Sequence, residues 1–258
     1  MLTKVVTDQM GYEVTVPQSP SKIISLVPSQ TELLFDLGLS HEIKGVTKFC
    51  VHPKDQVSEI RKIGGTKQFR FGDIEDIAPD LIIGNKEENY QEGIQKLKEK
   101  YPVWMSDIIS LSDAIQMIEK VSDLLNRKRR GKEIADNIRT NFASIQKKQS
   151  QRVLYFIWKK PYMVAGKETF IDSMLKQIGL KNAIETTRYP ELSEEQIKAI
   201  NPDLILLSSE PFPFKAGHFG EFSKLSPSAQ IHIVDGEMFS WYGSRLLKAP
   251  EYFNALRF

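Results

Sequence analysis

The sequence contains few of the residues and motifs that mark catalytic or cross-linked proteins. Its 258 residues include one cysteine, Cys50, and four histidines. A single cysteine excludes an internal disulfide and says little about the cellular compartment. The GxGxxG, GxxxxGK[ST], GxSxG and HExxH patterns of nucleotide-binding, hydrolytic and zinc-dependent enzymes are all absent. We therefore predict a protein that is not an enzyme and requires no cofactor.

A charge excess and a long apolar run are also missing. The 35 basic and 33 acidic side chains give a formal net charge of +2, so the sequence predicts no nucleic-acid partner. A membrane span needs about 20 consecutive apolar residues, and the apolar run from Ile23 to Pro28 is far shorter. The opening stretch MLTKVVTDQMGYEVTV has no secretory-signal pattern. The chain is then either a mature form of an exported protein or a cytoplasmic protein.

Short β-branched runs alternate with helical patterns in both halves of the chain. IISLV at 23–27 predicts a buried strand, and TELLFDLGL at 31–39 predicts a helix with Thr31 as its N-cap. VLYFIW at 153–158, followed by a helical pattern at 169–180, repeats the arrangement. Such alternation is typical of α/β folds with parallel sheets.

A second repeat joins a helix to a strand through the same tetrapeptide pattern. DIEDIAPDLII at 73–83 and QIKAINPDLIL at 196–206 both place Pro-Asp-Leu-Ile between an amphipathic stretch and an apolar run. Two similar halves predict two α/β lobes, at residues 1–109 and 151–258. Ligands bind such lobes beyond the carboxyl ends of the strands, so the cleft between them is the expected site.

The segment 110–150 between the halves has the pattern of an amphipathic helix. Its apolar residues recur at spacings of three and four, which indicates one buried face. A flexible linker would be rich in glycine and serine, so we predict a stiff backbone helix. Gly131, within a run of basic residues, is the expected place for a kink.

The stretch KFCVHP, Lys48–Pro53, leaves two interpretations open. Thiolate and imidazole suit zinc and similar metals, which makes Cys50 and His52 candidate metal ligands. Alternatively, Cys50 is a small buried apolar residue and His52 a loop histidine. Two ligands do not complete a site. Two alternative pairs would complete it: Glu210 with His218, or Glu87 with Glu88.

Aromatic residues are frequent in the Pro/Gly/Ser-rich stretches that follow the predicted strands. Exposed rings suit a flat, partly apolar ligand, and Arg245, close to Trp241 and Tyr242, would pair with an anionic group on it. About half of these aromatics should line the cleft and the rest should fill the lobe cores. The predicted ligand-binding residues are Phe49, Cys50, His52, Trp158, Tyr162, Tyr189, Trp241, Tyr242 and Arg245.

The order of motifs resembles the helical-backbone (class III) substrate-binding proteins of ABC importers for cobalamin, haem and ferric siderophores. The similarity runs from Ile23 to Arg245 and is greatest to the cobalamin-binding branch. It implies two Rossmann-like lobes joined by one rigid helix, with the ligand in the interlobe cleft. The motifs that carry it are IISLVPSQTELLFDLGL, GVTKFCVHP, IGGT, IAPDLII, PYMVAGKETFIDSMLKQIGL, RYPELSEEQIKAINPDLIL and SWYGSR.

The resemblance also implies roles for single residues. Phe49 stands where cobalamin-binding proteins have a cleft tyrosine, Tyr189 where they have a cleft tryptophan, and Arg245 matches an arginine at the cleft mouth. Glu195 matches the glutamate of the C-terminal lobe that docks onto the importer. The matching position in the N-terminal lobe lies close to a glycine, so Asp73 or Glu75 would substitute there.

The expected function is then the solute-binding component of an ABC importer. Its ligand would be a metal-containing macrocycle or chelate: cobalamin, haem or a ferric siderophore. Its partner would be a permease of the cobalamin and siderophore type, and the protein itself a monomer in a periplasmic or other extracytoplasmic location. The alternative is an intracellular metal- or tetrapyrrole-handling protein, a chelatase-like enzyme or metallochaperone, on the same fold.

Overall fold

The computed structural model describes residues 2–258 and forms two compact units. Unit 1 comprises residues 2–108, 112–138 and 242–245; unit 2 comprises 109–111, 139–241 and 246–258. Each unit has helices interleaved with a mainly parallel sheet. The predicted α/β fold class is confirmed. Within residues 2–258, no helix is both long and apolar enough to span a membrane.

Unit 1 is built on a five-stranded parallel sheet with the strand order β5-β4-β3-β8-β9. Two antiparallel pairs, β1-β2 and β6-β7, lie outside this sheet. The strands are β1 Thr3–Thr7, β2 Glu13–Pro17, β3 Ile23–Ser25, β4 Ile43–Val46, β5 Arg61–Lys62, β6 Gly64–Gly65, β7 Gln68–Phe69, β8 Leu81–Asn85 and β9 Val103–Ser106. The helices are α1 Pro28–Asp36, α2 Lys54–Val57, α3 Phe71–Ile77, α4 Gln91–Lys98, α5 Leu111–Leu124 and α6 Lys128–Ala143, of which α6 continues into unit 2.

Unit 2 has a six-stranded sheet with the order β13-β11-β10-β14-β15, and β12 also pairs with β10. Strands β10, β12, β14 and β15 are parallel, whereas β11 is antiparallel to β10. The strands are β10 Arg152–Trp158, β11 Tyr162–Val164, β12 Lys181–Asn182, β13 Glu191–Leu192, β14 Leu204–Ser208 and β15 Gln230–Val234. The helices are α7 Phe170–Gln177, α8 Glu194–Ile200, α9 Phe219–Leu225, α10 Gly236–Ser240 and α11 Ala249–Ala255, with 3₁₀ turns at Ala216–His218 and Ser244–Leu247.

The repeated Pro-Asp-Leu-Ile motif has the same structural role in both units. The Asp80 carboxylate accepts hydrogen bonds from the backbone N–H groups of Ser21 and Lys22, at the start of β3. The Asp203 carboxylate accepts one from the N–H of Arg152, at the start of β10, at 2.7 Å. Each aspartate therefore fixes the first residues of a central strand, and the predicted repeat is confirmed.

Helix α1 begins earlier than the sequence predicts. The predicted N-cap Thr31 lies inside the helix, which starts at Pro28. Proline fits the first position of a helix because its missing N–H would have no intrahelical acceptor there. The Thr31 hydroxyl instead bonds the Val27 carbonyl at 2.9 Å and the Ser25 hydroxyl at 2.8 Å. The N-cap prediction for Thr31 is therefore wrong.

The segment predicted as one backbone helix consists of two helices, α5 and α6. The break falls at Asn126, whose φ of 58° lies in the left-handed region that asparagine tolerates better than most residues. Gly131, the expected kink, lies within α6 instead. A Cβ on Gly131 would lie 1.8 Å from Ser122 Oγ, so the glycine permits close packing of α6 on α5. The three-segment division of the chain stays a prediction.

Replacing Gly131 by alanine should destabilise the protein. The added methyl group overlaps Ser122, and overpacking of this kind costs about 1–3 kcal/mol. The matched control is Gly72→Ala in the first turn of α3, because a Cβ there meets no atom within 4 Å. Chemical denaturation should give a lower free energy of unfolding for Gly131→Ala and an unchanged or higher one for Gly72→Ala. Equal stability of the two variants would refute the close packing.

Candidate ligand-binding site

The carboxyl ends of the unit 1 strands carry the loops that the sequence marked as functional. Strand β3 has β4 on one side and β8 on the other, so consecutive connections leave it in opposite directions. Such a reversal opens a crevice outside the carboxyl ends, where α/β proteins bind ligands. The KFCVHP loop follows β4, and the loop NKEEN begins with the last residue of β8. We call this the carboxyl edge of unit 1.

The side chains of the KFCVHP loop alternate between solvent and core. Phe49 is 50% exposed and Val51 45% exposed, whereas Cys50 between them is 2% exposed. The loop therefore presents an apolar surface and turns its thiol inward. His52, the next residue, is half-buried.

Cys50 lies in the core of unit 1. Its sulfur lies 3.1 Å from the Thr31 hydroxyl and 3.3 Å from the Thr47 hydroxyl. Burial raises the pKa of the Cys50 thiol. No group of three or more His, Cys, Asp or Glu side chains suitable for a metal occurs in the described part of the chain. The geometry thus favours the interpretation of Cys50 as a small apolar residue.

The chain returns to unit 1 at Tyr242 and covers part of the same edge. The Tyr242 hydroxyl donates a 2.6 Å hydrogen bond to the Glu88 carboxylate, and the ring is 5% exposed. Burial raises the pKa of this phenol well above its ordinary value. Gly243 follows, and a Cβ on it would lie 2.3 Å from the carbonyl oxygen of Ser29. Tyr242 therefore anchors a chain segment and has little surface left for a ligand.

Arg245 is held by a carboxylate of its own chain. Its Nε and one terminal nitrogen lie 2.8 and 2.7 Å from the two carboxylate oxygens of Glu32, which is a bidentate ion pair. Arg245 is 7% and Glu32 8% exposed. This geometry disfavours the predicted role of Arg245 in pairing with an anionic ligand. Glu32 was not among the residues predicted from the sequence. Its position as an acidic residue within the apolar stretch TELLF could have identified it.

The carboxyl edge of unit 2 exposes a second aromatic side chain. Trp158 ends β10 and is 39% exposed, and its ring packs edge-on against Phe212, with 5.7 Å between centroids. Strand β10 lies between β12 and β14, so this edge also has a reversal of strand order. At this edge Trp158 is the last residue of β10, and Phe212 lies in the loop after β14.

Trp241 is anchored in unit 2 rather than exposed to a ligand. It is 6% exposed, and its indole N–H donates to Glu210 Oε1 at 3.0 Å. The Ser240 hydroxyl donates to the same oxygen at 2.9 Å. Burial raises the pKa of Glu210, which remains bonded to both donors. Glu210, like Glu88, therefore accepts a hydrogen bond that holds an aromatic side chain in place.

The two predicted tyrosines of unit 2 are half-buried. The Tyr162 hydroxyl donates to the Glu221 carboxylate, and its ring packs edge-on against Phe156 and Phe222 of the core. Burial raises the pKa of Tyr162, so it remains a neutral phenol. Tyr189 lies in the loop between β12 and β13. Tyr162 packs against the buried hydrophobic cluster of this unit.

The three residues predicted to dock onto the importer differ in the ion pairs and hydrogen bonds that their carboxylates already form. Glu195 is exposed in the first turn of α8, where a hydrogen bond from the Ser193 side chain lowers its pKa. Asp73 pairs with two arginines, Arg61 at 2.6 Å and Arg70 at 2.8 Å. Glu75 pairs with Lys100 at 2.6 Å and keeps 54% of its side chain exposed. Glu195 and Glu75 are therefore more accessible than Asp73.

Comparison with known proteins identifies the family. Residues 23–228 match the periplasmic binding protein family. The chain belongs to this family. The match includes the KFCVHP and NKEEN loops, the connecting segment and the Pro-Asp-Leu-Ile motif of both units.

The individual relatives of this periplasmic binding protein also carry the names of binding proteins. It is 24% identical over 95% of its length to an uncharacterized ABC transporter substrate-binding lipoprotein, YvrC, from Bacillus subtilis (strain 168), covering 82% of that protein. It is 25% identical over 72% of its length to a vitamin B12-binding protein from Vibrio parahaemolyticus, covering 70% of that chain. The solved periplasmic heme-binding protein RhuT from Roseiflexus sp. RS-1 shares the fold, with a TM-score of 0.78, 22% identity and coverage of 91% and 98% of the two chains. The alternative of a chelatase-like enzyme or metallochaperone is not favoured.

The buried ion pair in this periplasmic binding protein should be strongly coupled. Glu32→Met leaves the Arg245 guanidinium buried without its carboxylate, and removing one member of such a pair costs about 3–5 kcal/mol. The double variant Glu32→Met/Arg245→Met removes both charges and should recover most of that loss. A double-mutant cycle from chemical denaturation measures the coupling. Additive effects of the two single substitutions would contradict a direct pair.

Proposed function

We propose that this protein is the solute-binding component of an ABC importer and that it binds a metal-containing macrocycle or chelate. The observation that carries the proposal is the exposure of Phe49 and Trp158 at the carboxyl edges of the two parallel sheets. Family membership supports it, because the relatives named above are substrate-, vitamin B12- and haem-binding proteins. Cobalamin, haem and ferric siderophores are the ligand classes proposed.

Exposed rings at these positions fit recognition of a flat ligand better than a structural role. A half-exposed aromatic side chain leaves apolar surface in water, and covering it is favourable by roughly 25 cal/mol per Å². Phe49 is flanked by exposed Val51, and Trp158 is braced edge-on by Phe212. Each edge thus presents an exposed aromatic ring, which suits stacking against a planar macrocycle or a catecholate.

The proposal also covers the cellular compartment of the protein and the residues that dock onto the permease. We place the protein outside the cytoplasmic membrane, since its relatives carry periplasmic or lipoprotein names. It acts there as a monomer that delivers its ligand to a permease. Glu195 is the proposed docking carboxylate of unit 2. Glu75 is a better candidate than Asp73 in unit 1, because two arginines already neutralise Asp73.

Removing the exposed rings should weaken ligand binding. Phe49→Ala and Trp158→Ala should each raise the dissociation constant by about tenfold, because truncating a stacked aromatic anchor commonly costs 1–3 kcal/mol or so. The matched control is Tyr12→Ala, a 57% exposed aromatic in the β1–β2 turn, away from the carboxyl edge of unit 1. Equilibrium dialysis with cobalamin, haem and a ferric catecholate measures the effect. If the Phe49 and Trp158 variants bind as well as the Tyr12 variant, the site lies elsewhere.

Glu195→Ala should leave ligand affinity unchanged and lower the transport rate. The exposed carboxylate makes no contact that the fold needs beyond the first turn of α8. Glu185→Ala, which removes a side chain that is 85% exposed in the same unit, is the control. Uptake of labelled ligand by cells or vesicles containing the permease measures transport. Normal uptake by Glu195→Ala, with the control also normal, would reject the docking role.

A further inference from the structure

A basic depression in the surface of unit 1 lies beside the Phe49 ring. It encloses about 430 Å³ and is lined by Lys48, Lys62, Gly64, Gly65, Gln68, Phe69 and Arg70. The lining has three cationic side chains and no acidic one. Strand β5, the β6–β7 hairpin and the residue that precedes Phe49 form its walls. It therefore adjoins the carboxyl edge of unit 1.

Two of the three cations have no carboxylate partner among residues 2–258. Arg70 pairs with Asp73 at 2.8 Å and donates to the carbonyl of Lys62. The ammonium of Lys62 donates to the carbonyl of Val57 at 2.6 Å and forms no ion pair within the described chain. The ammonium of Lys48 lies 5.0 Å from the centroid of the Phe49 ring and is likewise without an acidic partner there.

The environment of Lys62 favours an anion beside it. Its side chain is half-buried, and burial lowers the pKa of its ammonium. An opposite charge next to a partly desolvated ammonium favours its charged form. The neighbouring acids do not supply one, because Asp73 and Asp76 are held by Arg61 and Arg70.

The depression and the Phe49 ring form one continuous surface. A Cβ on Gly65 would lie 3.3 Å from Phe49 Cε2 and 3.6 Å from Lys48 Cε, so the ring and the lysine stem lie against the same glycine. The backbone N–H of Lys48 donates to the Gly64 carbonyl at 2.8 Å, which fixes the loop to the hairpin. A ligand whose planar part covers Phe49 therefore has its periphery next to the Lys48 ammonium and the depression that Lys62 also lines.

We propose that Lys48 and Lys62 form a subsite for an anionic group of the ligand, a carboxylate, phosphate or catecholate. The inference rests on the proposed function and narrows it. The ligand is an amphiphilic chelate or macrocycle with a planar apolar body and at least one anionic arm. Ammonium–anion contacts at a partly buried site are charge-assisted and are stronger than neutral hydrogen bonds.

A matched ligand pair tests the subsite. Haem carries two carboxylates, and haem dimethyl ester carries none but has the same ring. The double variant Lys48→Gln/Lys62→Gln should raise the dissociation constant for haem by about tenfold and that for the ester by less than about twofold. The control Lys22→Gln/Lys44→Gln removes the same charge from β4 and from the residue preceding β3, and should change both constants by less than about twofold. Tight haem binding that is equal in the two double variants would overturn the subsite and leave the proposed function standing.

A second measurement tests the subsite without any macrocycle. Pyrophosphate, titrated into ¹⁵N-labelled protein at constant ionic strength, should shift the amide resonances of Gly64 and Gly65 saturably. The same titration of Lys48→Gln/Lys62→Gln should give no saturable shift. Absence of the shift in the wild-type protein overturns the subsite. A shift together with failure to bind haem, cobalamin and a ferric catecholate overturns the proposed function instead.

Discussion

Parallel strands send every strand-to-helix loop to the same edge of a sheet, and this constraint determines where the protein exposes its aromatic side chains. Phe49 follows β4 and Trp158 ends β10, two strands in separate parallel sheets. In both sheets the order of strands reverses beside a central strand. The Pro-Asp-Leu-Ile aspartates fix the opposite, amino ends of those central strands. One exposed ring therefore lies in the loop after β4 and the other at the end of β10.

Carboxylates of the chain itself bind two of the aromatic side chains that the sequence predicted to contact a ligand. Glu88 binds Tyr242 and Glu210 binds Trp241, and both rings are buried. Phe49 and Trp158 have no such anchor among the hydrogen bonds of the described residues, and both remain exposed. A ring with a polar handle can be held by a buried acceptor, whereas phenylalanine offers none.

The sequence predicted those strands and helices whose pattern lies within a few neighbouring residues. The strand predicted at 23–27 is present at Ile23–Ser25, and Thr169 caps α7 where the predicted helix began. The sequence placed the helix break at Gly131, whereas it falls at Asn126. Both residue types suit an interruption, and only the packing of Gly131 against Ser122 decides between them. The partner of Arg245 lies 213 positions away, and no local pattern carries such a pairing. Burial of Trp241 and Tyr242 also depends on residues distant in sequence, so no local pattern could predict it.

Titration calorimetry of the wild-type protein with cobalamin, haem and a ferric catecholate tests the central claim most directly. We predict saturable binding of one of these ligands at one molecule per protein chain, with the tightest binding for a ligand that carries an anionic group. Absence of binding by all three, from protein shown to be folded by its cooperative unfolding, would contradict the account.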